Sequence, residues 1–438
     1  MSTWLTENYL TRGFWGDEAW TAGISRLPIN EIIRITGEDF HPPFYYFIVH
    51  YIGAPSNYAE VPVRLISTAF FALIPIIAYI LCRILFKERR TYKKPQHNYN
   101  LMVGILVATS PILLTYAFEA RSYALLALES VLSAYIFWRA RDEKKGHYLW
   151  RTCYFLLGAS MIYTHYYAWF ILASHAVYLL IFEHRRIPPM LPAALGILAV
   201  QLPWLPTLLG QTSSVQGSYW IGPINGQTHW EFLYRIAGGD ITTPWQKPLG
   251  YILGLTALIH LVYRLIKGTV TPTHRFLLTW ILVPAIIPTI ISLAFFPVFF
   301  YRYLIFSSIP LLILFVYALS ELPIKATLAT VAVVLLMYLS VDAKIWKQYP
   351  RTMRDATREL YNIKTPTNGP VYTVLPAFAE VMYYTAPHDE IIVSPEGLIQ
   401  FSGKSLLDAY VRLGLTTIQE PPPTGYYFLT PDKQVELR

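Results

Sequence analysis

The sequence predicts a mainly α-helical membrane protein, in which a polytopic transmembrane helical bundle carries a small C-terminal α/β domain. Of its 438 residues, 54% are hydrophobic and 14% are charged, whereas soluble domains have about 25% charged residues. Apolar runs long enough to cross a bilayer recur as far as residue 341. After Ser340 the composition changes to charged helical and short strand-like segments. These observations exclude an ordinary soluble domain.

Ten apolar runs are candidates for membrane-spanning helices. A helix needs about 20 apolar residues to cross about 30 Å of hydrocarbon, and tilt accommodates longer or shorter runs. The runs lie at roughly 62–86, 99–116, 122–140, 149–163, 166–182, 190–209, 248–266, 276–296, 303–320 and 325–341. An even number of spans places both chain ends on the same side of the membrane.

Lys and Arg are concentrated in one set of alternate loops between these runs. The basic loops are 87–97, 139–151, 183–187, 264–275 and 321–325, and the loops poor in Lys and Arg are 1–61, 117–121, 164–165, 210–247 and 297–302. Because short cytoplasmic loops are enriched in Lys and Arg, we expect the second set to be extracytoplasmic. The formal charge of +8 then reflects a cell-membrane topology, so we expect the lipid bilayer, and no nucleic acid, as a partner.

The segments before and after the apolar runs form two further units. Residues 1–61 contain no full span and lack the basic and apolar pattern of a signal peptide, but HPPFYYFIVHYIGA (41–54) is typical of an interfacial or re-entrant helix. In residues 342–438, GPVYTVLP, DEIIVSP and TGYYFLTP predict short strands bounded by Pro and Gly. We divide the chain into an outer loop with juxtamembrane helices (1–61), a transmembrane domain (62–341) and an extracytoplasmic α/β domain (342–438).

An acidic pair in the outer loop is the first candidate for catalytic chemistry. Asp17 and Glu18 stand in FWGDEAW (14–20), with a tryptophan on each side. Where water is scarce, the proton affinity of a carboxylate rises toward that of a general base. The alternative is a helix cap with an acidic residue in the first turn, and the spacing alone favours neither.

A second candidate group lies in EARSY (119–123). Glu119 and Arg121 stand at the boundary between two apolar runs, directly before Tyr123. Ionisable groups at membrane depth are paired or functional, and the arginine fork suits a phosphate. The alternative is an ion pair that satisfies itself at a tight turn.

Two more loops of the same set each carry a basic residue between tyrosines. His165 in YTHYY (163–167) has the chemistry to donate to a phosphate, accept a proton or bind a metal, although a lone histidine in a turn is often structural. Arg302, between Tyr301 and Tyr303, suits an anionic lipid headgroup or an interfacial anchor. The convergence of acids and bases in one set of loops favours a shared site.

A divalent metal is a weaker prediction. Asp17, His41 and Glu119 would form an oxygen and nitrogen site if they met in space, but the sequence has no paired spacing such as His-x-x-x-His. It also has no P-loop, no Gly-rich dinucleotide loop and no Gly-x-Ser-x-Gly elbow. A nucleotide-dependent site on the cytoplasmic side is therefore not expected.

The ordered set of these segments resembles the membrane-embedded GT-C glycosyltransferases. Within them it is similar to the family that joins the protein O-mannosyltransferases with the aminoarabinose transferase of lipid A. The matching segments, in the order of the family and over roughly residues 14–310, are FWGDEAW, HPPFYYFIVHY, VRLIS (63–67), TSPILLTYAFEARSYALL (109–126), YTHYY and YRYLIFSSIP (301–310).

The resemblance implies a transferase that takes a sugar from a polyprenyl-phosphate carrier and inverts its anomeric carbon. The acceptor would be a protein, a lipid or a glycan. In catalysis, Asp17 would be the general base or would orient the acceptor, and Glu18 would support it. Arg302 would bind the carrier phosphate, and the other candidate substrate-binding residues would be His41, Glu119, Arg121, Tyr123, His165 and Tyr301.

Two other functions are compatible with the sequence. A flippase or transporter of lipid-linked glycans would have ionisable residues through the membrane interior, whereas here they concentrate at one boundary. A non-catalytic cell-envelope assembly protein would leave Asp17, Glu119 and Arg302 too far apart to share one substrate, by more than about 15 Å, because a base must lie within hydrogen-bond reach.

Overall fold

Three short helices open the chain. The structure is a computed structural model that describes residues 6–86, 96–141, 147–218, 221–364, 369–385, 389–396 and 403–438. The first helices are α1 (Gly16–Ser25), α2 (Ile29–Glu38) and α3 (Phe44–Gly53). As predicted for 41–54, α3 is a short apolar helix, and it leaves Tyr51 and Ile52 exposed.

All ten predicted apolar runs lie in helices. The helices of this part of the chain are α4 (Glu60–Leu85), α5 (Gln96–Ala108), α6 (Pro111–Ala117), α7 (Tyr123–Ala140), α8 (His147–Thr164), α9 (Ala168–Phe182), α10 (Ile187–Gln201), α11 (Leu205–Ser218), α12 (Thr228–Gly238), α13 (Gln246–Ile266), α14 (Pro272–Ala294), α15 (Ser308–Leu319) and α16 (Ile324–Trp346), of which α12 lies in the predicted loop 210–247. The run at 99–116 is split between α5 and α6, which bend by 52° at a break directly before Pro111. Proline has no N–H and favours the first position of a new helix.

The predicted number of ten spans stays a prediction. Within the described residues, six helices are long and apolar enough to cross a membrane, or seven if the bent pair is one span. The remaining three predicted runs lie in α7, α8 and α9, which have 18, 18 and 15 residues. Most side chains of α7, including Glu129, are buried by other helices, so this helix needs no continuous apolar surface toward lipid. At 1.5 Å per residue, α9 is short for a full crossing.

The bundle has two distinct ends, and described residues of the two sets of predicted loops lie at opposite ones. Near the start of α4, Ser67 donates to the carbonyl of Arg121, 3.1 Å away, and this end is called the cavity end. At the far end, Thr273 donates to the carbonyl of Leu85, 2.9 Å away. Residues 87–95 and 142–146 of the basic loops lie outside the described residues. The outward direction of the cavity end stays a prediction from the Lys and Arg distribution.

The C-terminal residues form a small α/β unit. Its helices are α17 (Met353–Ile363), α18 (Phe378–Thr385) and α19 (Lys404–Arg412), and its strands are β1 (Val371–Thr373), β2 (Ile391–Val393), β3 (Thr417–Ile418), β4 (Tyr427–Leu429) and β5 (Val435–Leu437). The strand order is β3-β2-β1-β4-β5, parallel except for β5. The three predicted strands are β1, β2 and β4, and the sequence interpretation missed β3 and β5.

One apolar core joins this unit to the opening helices. Phe14 and Ile24 from the first loop pack in the same buried cluster as Met353 and Leu406. The Tyr410 hydroxyl donates to the carbonyl of Gly23 at 3.2 Å. The first loop and the C-terminal unit therefore form one cap on the cavity end of the bundle.

Candidate active site

A cavity of about 360 Å³ lies between the bundle and this cap. Its bundle-side wall comes from the turn before α7 and the segment before α15, and its cap-side wall comes from α1 and from the turn that leads into α18. We call it the Asp17 cavity. The lining includes Trp15, Asp17, Trp20, His41, Arg121, Tyr123, Arg302, Tyr303, Leu375, Phe378 and Ala379.

Asp17 is one of two aspartates that line this cavity, and the other is Asp39. Asp17 lies in the first turn of α1, where the helix dipole favours an acidic side chain, and Trp15 rather than Asp17 is the N-cap residue. Its side chain is 38% exposed, and Oδ2 lies 3.7 Å from Nη2 of Arg121. The carboxylate is therefore accessible from the cavity and has a cation beside it.

Glu18, the predicted catalytic neighbour of Asp17, does not line the cavity. Successive residues of an α-helix point about 100° apart, and the Glu18 side chain is fully buried on another side of α1. Its Oε1 accepts from Arg64 Nε at 2.8 Å and from the Ala120 N–H at 2.9 Å, and its Oε2 accepts from Arg64 Nη2 at 2.6 Å. Burial would raise the pKa of Glu18, but Arg64 and Arg12 outweigh it and hold the pKa below its ordinary value. The position of Glu18 fits an anchor for α1.

Arg121 is held at the cavity by a relay through His41. Arg121 Nη2 donates to His41 Nε2 at 3.0 Å, and His41 Nδ1 lies 3.3 Å from Asp39 Oδ2. Because a guanidinium only donates, Nε2 carries no proton, and Nδ1 donates to Asp39. His41 therefore links Arg121 to Asp39.

Arg302 is a cation without a carboxylate partner. It lies in the 3₁₀ segment Tyr301–Ser307 that leads into α15, with Cζ 5.6 Å from the ring centroid of Trp15 and 5.8 Å from that of Tyr116. No described carboxylate lies within 4.0 Å of it, and its buried Nε has no hydrogen-bond partner among the described residues. The cavity is therefore lined by Asp17 and by a guanidinium that has no described carboxylate within 4.0 Å.

Glu119 belongs to a buried network beside the cavity. Its Oε1 accepts from the Tyr9 hydroxyl at 2.9 Å and lies 3.8 Å from Nη2 of Arg12. Burial raises the pKa of Glu119 to about 7. Arg12 also lies 3.5 Å from Glu18, so the two acids share one arginine behind the cavity wall.

Tyr123 and Tyr303 line the cavity. His165 and Tyr301, which were also predicted to bind substrate, do not. His165 packs against both rings, with centroid distances of 6.1 and 5.0 Å, and burial holds its pKa well below the ordinary value. Tyr301 turns away and donates to Asp240 Oδ1 at 2.5 Å. It lines a different cavity, of about 260 Å³. The structure therefore brings Tyr123 to the Asp17 cavity, and leaves His165 behind its wall and Tyr301 outside it.

Solved structures share this arrangement of helices and cap. ArnT from Cupriavidus metallidurans in the apo state superposes with a TM-score of 0.65 at 14% identity, over 93% of this chain and 86% of ArnT. ArnT bound to undecaprenyl phosphate gives a TM-score of 0.61 at 12% identity, over 95% of this chain and 87% of ArnT. The chain has the GT-C fold. A third structure is archaeal oligosaccharyltransferase AglB from Archaeoglobus fulgidus in complex with an inhibitory peptide and a dolichol-phosphate. It gives a TM-score of 0.53 at 12% identity, over 87% of this chain and 61% of AglB.

Comparison of the sequence itself adds no relative. No protein-family model and no curated protein matches the chain. The predicted GT-C fold is confirmed by structural similarity.

The GT-C bundle does not gather the three candidate metal ligands. His41 hydrogen-bonds to Arg121 through Nε2 and to Asp39 through Nδ1. Glu119 lies in the network of Tyr9 and Arg12. Among the described residues, no group of three or more His, Cys, Asp or Glu side chains is arranged to hold a metal ion.

The sequence interpretation missed several residues that build the site. Arg64 is fully buried and fixes Glu18, Asp39 fixes His41, and Asp240 accepts from Tyr116 at 2.7 Å as well as from Tyr301. The sequence position of Arg64 indicated a buried ionic partner, because an arginine at the start of an apolar run needs one. Asp39 and Asp240 lie in polar loops where a lone acid carries no such signal.

Proposed function

We propose that the chain is a membrane glycosyltransferase that moves a sugar from a polyprenyl-phosphate carrier to a protein, lipid or glycan acceptor on the extracytoplasmic side. The observation that carries this proposal is that Arg302, a cation without a carboxylate partner, shares one cavity with the exposed carboxylate of Asp17. Similarity of fold to ArnT bound to undecaprenyl phosphate and to AglB with a dolichol-phosphate supports a lipid-phosphate carrier.

The proposed reaction is a single displacement at the anomeric carbon. The acceptor hydroxyl or amine gives its proton to Asp17 as its oxygen or nitrogen bonds to that carbon. The bond from the carbon to the phosphate oxygen breaks, and its electron pair stays on the phosphate. Arg302 stabilises the charge that develops there, as preorganised cations do at leaving groups. Attack from the side opposite the phosphate inverts the anomeric configuration.

The other residues of the site position these two groups. Arg121 lies 3.7 Å from the Asp17 carboxylate and is itself fixed by His41. Glu18 and Arg64 fix the first turn of α1, which carries Asp17. Proximity of base, acceptor and donor phosphate is the main requirement of such a step.

The shared cavity favours an enzyme over a non-catalytic assembly protein, for which the acid and the arginine need not meet. A transporter would be favoured by ionisable groups along a path through the bundle. The described charges at the cavity instead lie at one end, between the bundle and the cap.

The test is sugar transfer by the purified protein from a panel of radiolabelled polyprenyl-phosphate sugars. We expect one donor to release its label to an acceptor. In Asp17→Asn, turnover should fall about 10²- to 10⁴-fold, the usual contribution of a general base, while carrier binding persists. Asp408→Asn, an exposed acid of α19, is the matched control. Near-normal turnover by Asp17→Asn would remove Asp17 from this role, and release from none of the donors would argue against the function itself.

A further inference from the structure

A cluster of polar side chains joins three elements at the cavity end of the bundle. Its centre is Asp240, in the turn between α12 and α13, whose side chain is 18% exposed. Oδ2 accepts from the Tyr116 hydroxyl at 2.7 Å. Oδ1 accepts from the Tyr301 hydroxyl at 2.5 Å and from Arg235 Nη1 at 2.6 Å. These four residues, called the Asp240 cluster, are separate from the lining of the Asp17 cavity.

The turn that carries Asp240 has a conformation that requires glycine. Gly239, directly before Asp240, has a φ of +93°, which residues other than glycine rarely adopt. A Cβ atom there would lie 2.8 Å from Cβ of Pro111, the first residue of α6. The turn therefore lies directly against α6, the helix that carries Tyr116.

The Tyr301 side chain is held toward this turn at its hydroxyl and at its ring. The hydroxyl donates to Asp240, and Cζ of Arg235 lies 4.3 Å from the ring centroid, within the range of a cation–π contact. Arg235 is itself fixed, because Nε donates to Glu231 Oε1 and Nη1 donates to the carbonyl of Asp240, both at 2.7 Å. The direction of Tyr301 is therefore set by several contacts at once.

The direction of Tyr301 constrains where Arg302 points. The two residues are neighbours in the 3₁₀ segment before α15, and successive residues of a 3₁₀ helix are about 120° apart. With Tyr301 held toward Asp240, Arg302 is turned to another side of the segment, where it lines the Asp17 cavity. Its Cζ also lies 5.8 Å from the ring centroid of Tyr116, whose hydroxyl is held by the same carboxylate.

We propose that Asp240 is a positioning residue of the carrier site, which directs Arg302 into the Asp17 cavity through the hydroxyls of Tyr116 and Tyr301. The inference rests on the proposed function, because that function assigns the carrier phosphate to Arg302. Asp240 carries a negative charge, and a negative charge near an anion site opposes binding of the anion. The favourable contribution of Asp240 is therefore its hydrogen bonds and not its charge.

The experiment measures the Kd of polyprenyl phosphate by titration calorimetry in detergent for Asp240→Ala, Arg302→Ala and the double variant. We expect Asp240→Ala to bind the carrier about fivefold more weakly than the wild type, the ratio for one typical net hydrogen bond. In the Arg302→Ala background the same substitution should leave the Kd unchanged, because Asp240 acts through Arg302. Such non-additivity identifies coupled residues, whereas a general loss of packing would weaken binding equally in both backgrounds.

Two further variants separate positioning from charge and from folding. Asp240→Asn also lacks the charge but keeps an oxygen that accepts from the Tyr301 hydroxyl, so it should bind the carrier more tightly than Asp240→Ala. Tyr301→Phe removes one hydroxyl, keeps the ring beside Arg235 and should also weaken binding, so it tests the same link should Asp240→Ala not fold. Tyr361→Phe, which removes a hydroxyl bonded to Asp389 in the C-terminal unit, is the matched control and should bind like the wild type.

Three results would overturn the proposal. If Asp240→Ala and Tyr301→Phe bind the carrier as tightly as the wild type while Arg302→Ala binds it weakly, Asp240 does not position Arg302, and the proposed function is unaffected. If Asp240→Ala weakens binding by the same factor in both backgrounds, its role is general packing. If Arg302→Ala itself binds like the wild type, Arg302 does not hold the carrier phosphate, and the proposed function loses its main support as well.

Discussion

The roles of the charged residues follow from how many partners each one has. Glu18 and Arg64 satisfy each other in a fully buried ion pair, which leaves neither free for a substrate. Asp17 is partly exposed and has Arg121 at 3.7 Å, and Arg302 lies beside the rings of Trp15 and Tyr116 with no described carboxylate within 4.0 Å. A buried or half-buried charge without a counter-charge is costly, so the cavity is built for an anion.

Substitution of Arg302 should weaken binding of the carrier phosphate. Hydrogen bonds to charged groups contribute about 1.5–3 kcal/mol, so Arg302→Ala should bind polyprenyl phosphate about 10- to 100-fold more weakly. Arg302→Lys should be intermediate, because it keeps the charge and loses the planar fork. Titration calorimetry in detergent measures the Kd, and Arg139→Ala, an exposed arginine at the far end, is the control. Equal Kd values for Arg302→Ala and Arg139→Ala would contradict phosphate binding by Arg302.

Glu119 should make the fold less stable as pH rises toward neutrality. Burial raises its pKa from 4.5 to about 7, so between these values the folded state keeps a proton that the unfolded state has lost. This proton contributes up to about 3 kcal/mol to the free energy of unfolding. The contribution is complete below about pH 4.5 and is lost as pH rises through 7.

The measurement is denaturant unfolding in detergent at pH 5 and at pH 7.5. The decrease in stability between the two should be smaller in Glu119→Gln than in the wild type, because glutamine does not titrate. Glu359→Gln, an exposed acid of α17, should behave like the wild type. An unchanged pH dependence in Glu119→Gln would show that Glu119 is ionised in the fold across this range.

At the scale of elements, the placement of α1 depends on one buried ion pair with α4. In Glu18→Gln, Arg64 loses its ionic partner in a site with no exposure, and loss of one partner of a buried pair typically costs about 3–5 kcal/mol. Glu38→Gln breaks the exposed pair with Arg34 on α2 and should cost less than about 1 kcal/mol. Denaturant unfolding of the two variants compares these losses, and equal losses would contradict an anchoring role for Glu18.

The elements were more predictable than the directions of their side chains. Apolar length and composition located most helices of the bundle, because hydrophobic runs carry their signal locally, but they missed α12, which lies in the predicted loop 210–247. The acid and arginine of the cavity were found because charges stand out at a membrane boundary. The side chains of Asp17 and Glu18 point in different directions, and so do those of Arg302 and Tyr301. These directions were not predictable, because neighbours in a helical turn face different partners and those partners are distant in sequence.

The enclosure of one helix by others was not predictable for a related reason. The composition of α7 gives no sign that other helices enclose it, and a helix buried on all sides tolerates Glu129 within an apolar run. The short strands β3 and β5 were missed because two or three residues give too few positions to show an alternating pattern.

For the whole molecule, the cap and the bundle contribute different chemistry to one cavity. Arg121 and Arg302 come from the bundle, whereas the C-terminal unit adds Leu375, Phe378 and Ala379, which are apolar or small. We infer that the bundle side receives the phosphate and that the C-terminal side contacts an apolar part of the acceptor.

A bulky residue on the C-terminal wall should therefore affect the acceptor and not the carrier. Ala379→Trp places a large ring in the cavity and should raise the KM for the acceptor several-fold, while the Kd for polyprenyl phosphate stays unchanged. Val411→Trp, on an exposed face of α19, is the control, and initial-rate kinetics at saturating donor is the measurement. A raised Kd for the carrier, with the acceptor KM unaffected, would place the acceptor elsewhere.

Arg302 has no carboxylate within 4.0 Å in the described part of the chain, and this has a consequence for the speed of repeated turnover. A sugar-linked phosphate carries one negative charge, and loss of the sugar leaves a monoester with a charge of about −1.5 to −2 at neutral pH. The same guanidinium then attracts the spent lipid more strongly than the loaded one. Under the proposed reaction, exit of the used carrier limits the rate, and accumulated free carrier acts as a competitive inhibitor of its own donor form.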